Sequence, residues 1–471
     1  MSPIDLTAAA REEMINRGFE PDIPADALKQ AQTITPHPNG RDLTSLPWSS
    51  IDNDSSRDLD QVEWAERVSD GIRVLVGIAD VSAAVAKGTP IDAYAGRETT
   101  TVYAGVKTFP MLPEQLSTDL TSLSEGEDRA AVVIEYVVGS DGCIGRHSVY
   151  PATVRNRARL TYNAMGPWLE NAGEIQAAAE IQQQLHLQDE AAQALRQARD
   201  RMGALTFDRK EVEPVFENGQ IRSIATRASN RAAHLIEDFM IGANEVMART
   251  LRDAGVSSIR RVVKAPERWA RIVELARNYG ETLPPEPDAK ALNGFLLRRK
   301  QADPEHYPDI SLSVLKLMGP GEYVLMRPGD EAQGHFGLAA HDYTHSTAPN
   351  RRFSDLVTQR LLKAIGGAPP YSDEELGAIA RNCTLKEDAS RKVERAMTKR
   401  IAAAALGSRV GERFSAVVTG VTPKGVFVRI VDPPVEGRLM RGEQGLDVGD
   451  RLHVRLLSTD PQRGYIDFGR E

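Results

Sequence analysis

Asp52, Asp54, Asp58 and Asp60 fall within the stretch IDNDSSRDLDQV (51–62), with only Arg57 to offset them. Like charges packed so closely repel unless a cation sits among them. Hard carboxylate oxygens of this kind suit Mg²⁺, Mn²⁺ or Ca²⁺, so the stretch reads as a metal site. Two other readings compete. Acidic clusters are commonly solvated loops. A calcium loop is the sharper rival, because Asp52, Asp54, Ser56, Asp58, Asp60 and Glu63 occupy ligand positions 1, 3, 5, 7, 9 and 12 of an EF-hand. Arg57 stands where that loop needs glycine for its sharp turn. The flanks SLPWSSI and QVEWAERV also lack the periodicity of paired amphipathic helices.

The elements that must hold such a site can be read from composition and periodicity. A chain of 471 residues, 41% hydrophobic and 26% charged, is long for one domain and suggests two or three. Its formal charge of −8 does not advertise nucleic acid, but a basic channel can lie inside an acidic protein. Two cysteines, Cys143 and Cys383, exclude a disulfide framework and a thiolate zinc site. The start MSPIDLTAAAREEM lacks the apolar core of a secretory signal, and no apolar run is long enough to span a bilayer. A cytoplasmic protein is the expectation.

Residues 1–40 predict a small helical N-terminal element. One helix runs from Thr7 to about Arg17 and stops at Gly18, and a second starts at Pro24. A helix-turn-helix is one reading of this pair. TPHPNGRD (35–42) then reads as a linker. Residues 61–150 are mostly β, with GIRVLVGIADVSAAV and RAAVVIEYVV as strands and SDG (140–142) as a hairpin turn. From about Gly173 to Arg400 the chain is mostly helical, with long amphipathic segments near 174–202, 229–254 and 373–404. After Gly407, about five short alternating strands signal a small antiparallel barrel. There Phe414, Phe427, Lys424, Arg429 and Arg438 offer aromatic and basic residues for nucleic acid, although phenylalanine in a small barrel is more often core.

Several ordered blocks resemble one family. The acidic stretch around Asp52, VGIADVSAAVAKGTPIDAYAGRETTTVYAGVKTFPMLP (76–113), AAHLIEDFMIGANEVMARTL (232–251) and HFGLAAHDYTHSTAPNRRFSDL (335–356) resemble the ribonuclease II (RNB) family of exoribonucleases. Residues 411–471 resemble a ribosomal S1-type RNA-binding domain. The implied fold is α+β: an RNB catalytic domain over 41–405, with a mixed sheet surrounded by helices, then a small all-β OB-fold barrel. The implied activity is 3′-to-5′ hydrolysis of single-stranded RNA to nucleoside 5′-monophosphates in RNA turnover and processing. The alternative is an RNA-binding protein of the same fold with weak or lost catalysis.

Carried over residue by residue, the resemblance implies that Asp52, Asp58 and Asp60 are catalytic and hold Mg²⁺, with Mn²⁺ as a substitute. The fourth acidic position of the family is Gln61 here. An amide oxygen can ligate Mg²⁺ but carries no charge. Arg351 matches the catalytic arginine, Tyr103 the aromatic that packs on the last base, and Glu394 a glutamate near the terminal nucleotide. On spacing alone, Glu394 could instead pair with Arg391 in the same helix. Arg352 is expected on the RNA backbone or on an acidic neighbour. Arg391, Arg395 and Lys399, with Lys392 and Arg400 beside them, could form a basic wall, joined by Arg298, Arg299 and Lys300. Family members usually carry two cold-shock-type barrels before the catalytic domain, for which residues 1–40 are too short. The expected partners are therefore single-stranded RNA and duplexes with a 3′ overhang, engaged by a monomer.

Overall fold

A computed structural model describes residues 5–35, 40–207, 210–217, 220–304 and 307–471. Of the linker expected at 35–42, residues 36–39 fall outside them, and Arg41–Asp42 form a short strand. The catalytic-domain candidate is organised on a six-stranded mixed sheet in the spatial order Arg41–Asp42, Ile144–Thr161, Trp48–Asp52, Gln61–Val68, Gly71–Ala79, Asp128–Val138. Ile144–Thr161 is long enough to do two jobs. Its first part pairs antiparallel with Asp128–Val138, and its last residues pair parallel with Trp48–Asp52. The sheet thereby curls back on itself.

Alternation along these strands fills both faces. Trp48, Val62, Trp64, Leu75, Val133 and Val154 pack on one side. On the other, Ile51, Ala65, Val74, Val76 and Ile134 meet the helices Ala179–Met202 and Arg231–Asp253 in the main core. The strand expected to run through 85 stops at Ala79, because the Asp80 carboxylate accepts from the Ala83 N–H and caps a short helix, Val81–Ala84. The middle of the chain also contains two antiparallel strand pairs, Lys210–Glu217 with Gln220–Ala228 and Ser258–Val262 with Glu322–Met326.

Two features outside the sheet matter for the site. The long helix Asp373–Ala405 begins in a capping box, Ser372 with Glu375. It ends inside the C-terminal barrel, where Ala402, Ala403 and Leu406 share one core with Phe414, Val428 and Phe468. The barrel is closed, with five strands from Arg413 to Arg470. A Cβ added at Gly464, in the turn of its last hairpin, would meet the Lys399 Cβ at 3.0 Å, so barrel and helix touch closely. At the other end of the chain, the helix Leu6–Asn16 lies on the long helix, and Ala25–Ala31 lies on the helix Pro90–Glu98.

Candidate active site

The acidic stretch is the connection between two neighbouring strands, Trp48–Asp52 and Gln61–Val68. A loop with this much charge needs external fixing, and Ser122 supplies it. Its hydroxyl donates to the Arg57 carbonyl (2.9 Å) and accepts from the Leu59 N–H (3.0 Å). From the outer side, Arg159 donates to the carbonyls of Ser56 (2.5 Å) and Asp54 (3.4 Å). Neither residue stood out in the sequence, because each reaches the loop across more than 60 positions of chain.

Asp60 is buried, its carboxylate accepting from the Asn350 N–H at 3.2 Å and lying 3.4 Å from the Arg351 guanidinium. Burial pushes its carboxyl up to about 7, with Arg351 opposing that rise and Asp58 adding to it. Asp58 is also raised, first by burial, with Asp52 contributing. Two adjacent carboxylates therefore resist ionisation together, and one arginine does not neutralise both. Asp52 turns toward its own loop, accepting from the Asn53 N–H (2.7 Å) and the Ser56 hydroxyl (2.8 Å). Asp54 accepts from the Asn163 amide on the outer side. Gln61, one residue past Asp60 in an extended strand, points to the opposite face, where its amide donates to the Ile51 carbonyl at 3.4 Å. Among the described residues, no three His, Cys, Asp or Glu side chains converge into a ready-made metal cage.

Arg351 leaves 49% of its side chain exposed while one edge rests on Asp60, so donors remain to face a ligand. Arg352 has the acidic neighbour that was one of its two expected partners. Its guanidinium makes a bidentate pair with the buried Asp355, at 3.0 and 2.7 Å, and 26% of its side chain stays exposed. Asp355 also accepts from the Ala348 N–H at 2.8 Å, which fixes the 348–352 turn carrying Arg351. Asn350 was not singled out in the sequence. Its side-chain carbonyl accepts from Thr121 at 2.6 Å, and its buried Nδ2 has no partner.

Tyr103 stands on a hairpin of two short strands, Val102–Tyr103 and Thr108–Phe109. Its ring is 41% exposed, and its hydroxyl lies 3.4 Å from the Asp58 carboxylate, so the aromatic surface borders the carboxylate pair. Glu394 reaches the same hairpin from the long helix. Its carboxylate accepts from the Ser390 hydroxyl (3.0 Å), and the Tyr103 backbone lies near enough to favour its charged form. Burial raises its carboxyl, with those contacts opposing the rise. The alternative Arg391 partner is taken up by Glu387, at 2.5 Å.

The basic wall is thinner than the sequence suggests. Lys392 pairs with Asp388, Arg400 lies by Glu13, and Arg298 pairs with Glu281, while Arg299 and Lys300 lie over Tyr279 and Tyr307. Arg395 and Lys399 are exposed on the long helix, with no carboxylate partner among the described residues. On the barrel, Phe414 is core. Phe427 is half-buried and sits opposite Arg438 across paired strands, and Arg429 is two residues along on the same face. This is the aromatic and basic combination that stacks bases and follows a backbone.

Comparison with known proteins places these features in a lineage. Residues 40–367 match the RNB domain, and residues 412–471 match the RNase II-type exonuclease C-terminal S1 domain. Ribonuclease R of Thermotoga maritima is 29% identical, over 95% of this chain and 68% of that protein. Ribonuclease R of Escherichia coli is 30% identical, over 91% of this chain and 57% of that protein. The chain thus spans between 57% and 68% of the length of these relatives. Mycoplasma genitalium RNase R, solved in complex with ribose methylated single-stranded RNA, superposes with a TM-score of 0.90 over 99% of this chain and 78% of that one, at 24% identity. Yeast Ssd1, described as a pseudonuclease, superposes with a TM-score of 0.75 over 92% of this chain and 56% of that one, at 20% identity.

Proposed function

We propose that this chain, which belongs to the RNB family, is a metal-dependent exoribonuclease that removes nucleoside 5′-monophosphates from the 3′ end of single-stranded RNA. The observation that carries the proposal is the paired, desolvated carboxylates of Asp58 and Asp60 between a half-exposed arginine and an exposed tyrosine ring. Carboxylates that resist ionisation are suited to a cation, which makes their charged form favourable. A pair of carboxylates suits Mg²⁺, which is commonly held through one or two carboxylates with substrate phosphate and water completing its shell.

Asp58 and Asp60 would hold the ion, with Asp52 able to join by releasing Ser56. When bound, Mg²⁺ activates water and offsets charge on the phosphate. Gln61 faces away, and its assignment as a ligand finds no support in its hydrogen bond to Ile51. The remaining chemistry belongs to the chain. Arg351, braced by Asp60 and by the Asp355-fixed turn, presents a planar guanidinium to the phosphate and interacts more strongly as negative charge builds there. Tyr103 offers a face on which any base can stack, worth about 1–3 kcal/mol without sequence preference. Those two contacts hold the terminal nucleotide across the carboxylate pair.

The test is the fate of end-labelled single-stranded RNA with Mg²⁺. Replacing Asp60 with Asn keeps shape and removes charge, and the rate should fall by roughly 10³-fold or more, the scale of several kcal/mol of metal-centred stabilisation. RNA affinity should stay within about twofold, because phosphate contacts elsewhere supply it. A wild-type protein that binds RNA without cutting it would favour the binding-only alternative.

A further inference from the structure

The hairpin that carries Tyr103 is too small to hold itself. Each strand has two residues, and isolated hairpins even longer than this are marginal in water. Its position must come from what covers it. Met14 and Phe19 of the N-terminal segment, 2% and 3% exposed, pack with Val102 and Phe109 of the hairpin and with Val393 and Met397 of the long helix in one separate core. The hairpin is thus clamped between the N-terminal segment and the face of the long helix that bears Glu394.

Polar contacts lock the segment in the same place. Lys386 of the long helix donates to the Gly18 carbonyl at 2.7 Å and lies 4.4 Å from the centre of the Phe19 ring. The Glu20 N–H donates to Glu98 at 3.0 Å, and the Tyr94 hydroxyl donates to the Glu20 carbonyl at 3.0 Å. At the turn, Gly105 has φ +77, and a Cβ there would come within 2.7 Å of Ile401, so the tip is pressed onto the long helix. From the site side, the Glu394 carboxylate lies close to the Tyr103 backbone.

We propose that Met14 and Phe19 are positioning residues for Tyr103, so that the N-terminal segment acts as a brace for the clamp on the terminal nucleotide. The proposal rests on the exoribonuclease reading given above. It assigns the segment a role in the reaction rather than in recognising nucleic acid on its own account.

The experiment is a double-mutant cycle on labelled single-stranded RNA. Met14→Ala with Phe19→Ala is compared with the parent in the Tyr103 background and in the Tyr103→Ala background. With Tyr103 present, KM should rise about tenfold, within the range a lost stacking contact allows, with kcat little changed. With Tyr103→Ala, the same pair should add no further change. Lys386→Met, which leaves the apolar core intact, should raise KM in the same direction by less, again only when Tyr103 is present. It decides the matter if the double variant does not fold. Equal effects in both backgrounds would overturn the brace while leaving the activity standing. A parent protein that does not shorten RNA would overturn the activity, and the brace with it.

Discussion

At the scale of single residues, the pair Asp58 and Asp60 is the most telling feature, because its chemistry is visible without a ligand. A carboxyl pushed up to about 7 is partly protonated at neutral pH, and a cation can bind well only to the deprotonated form. Metal binding should therefore release a proton. The sign is definite: release should approach one proton per site below about pH 6, where Asp60 is protonated beforehand, and vanish above about pH 8. Titration of Mg²⁺ in buffers of different ionisation enthalpy measures it, and release that does not fall with rising pH would remove Asp60 from the ligand set. The sequence made the carboxylates legible, since their clustering is local. It hid Ser122, Arg159 and Asn350, because fixing the loop depends on contacts between distant stretches.

Elements were legible in proportion to how far local pattern decides them. The β runs near 71–79 and 128–138, the long helix and the terminal barrel all follow from periodicity. The short helix after Asp80 was read as strand because Val81 and Val85 favour β, and a single cap overrides that preference. What no pattern shows is that the long helix ends within the core of the barrel. Deleting 411–471 would strip cover from Ala402, Ala403 and Leu406. The truncated protein should lose RNA affinity and show a flatter salt dependence, since fewer phosphates are contacted. It should also melt about 1–2 °C lower, what roughly 1–2 kcal/mol of lost burial costs a protein of this size. Scanning calorimetry alongside binding at two salt concentrations separates these effects. An unchanged melting temperature would mean that the barrel is merely tethered.

For the whole molecule, net charge was a poor guide. A charge of −8 coexists with an exposed Arg395 and Lys399 on the long helix and with Phe427, Arg429 and Arg438 on one face of the barrel. The flank of the tyrosine hairpin is covered by the helix Leu6–Asn16 and Phe19. Given a 3′ single-stranded tail to thread, the protein should shorten RNA into the start of an adjoining duplex before it stalls. The stall position on a labelled duplex with a 3′ tail is the measurement, and arrest several nucleotides short of the junction would sink the idea.

The long helix has a mechanical consequence. Its 33 residues make a rod about 50 Å long. One end packs on the core of the barrel, and Val393 and Met397, partway along, pack against the tyrosine hairpin. An RNA held on the barrel and stacked on Tyr103, as proposed above, would be gripped by two jaws on one handle. Tension on such a strand at the barrel would pass along the helix to the base of the hairpin, and the two jaws would share the load.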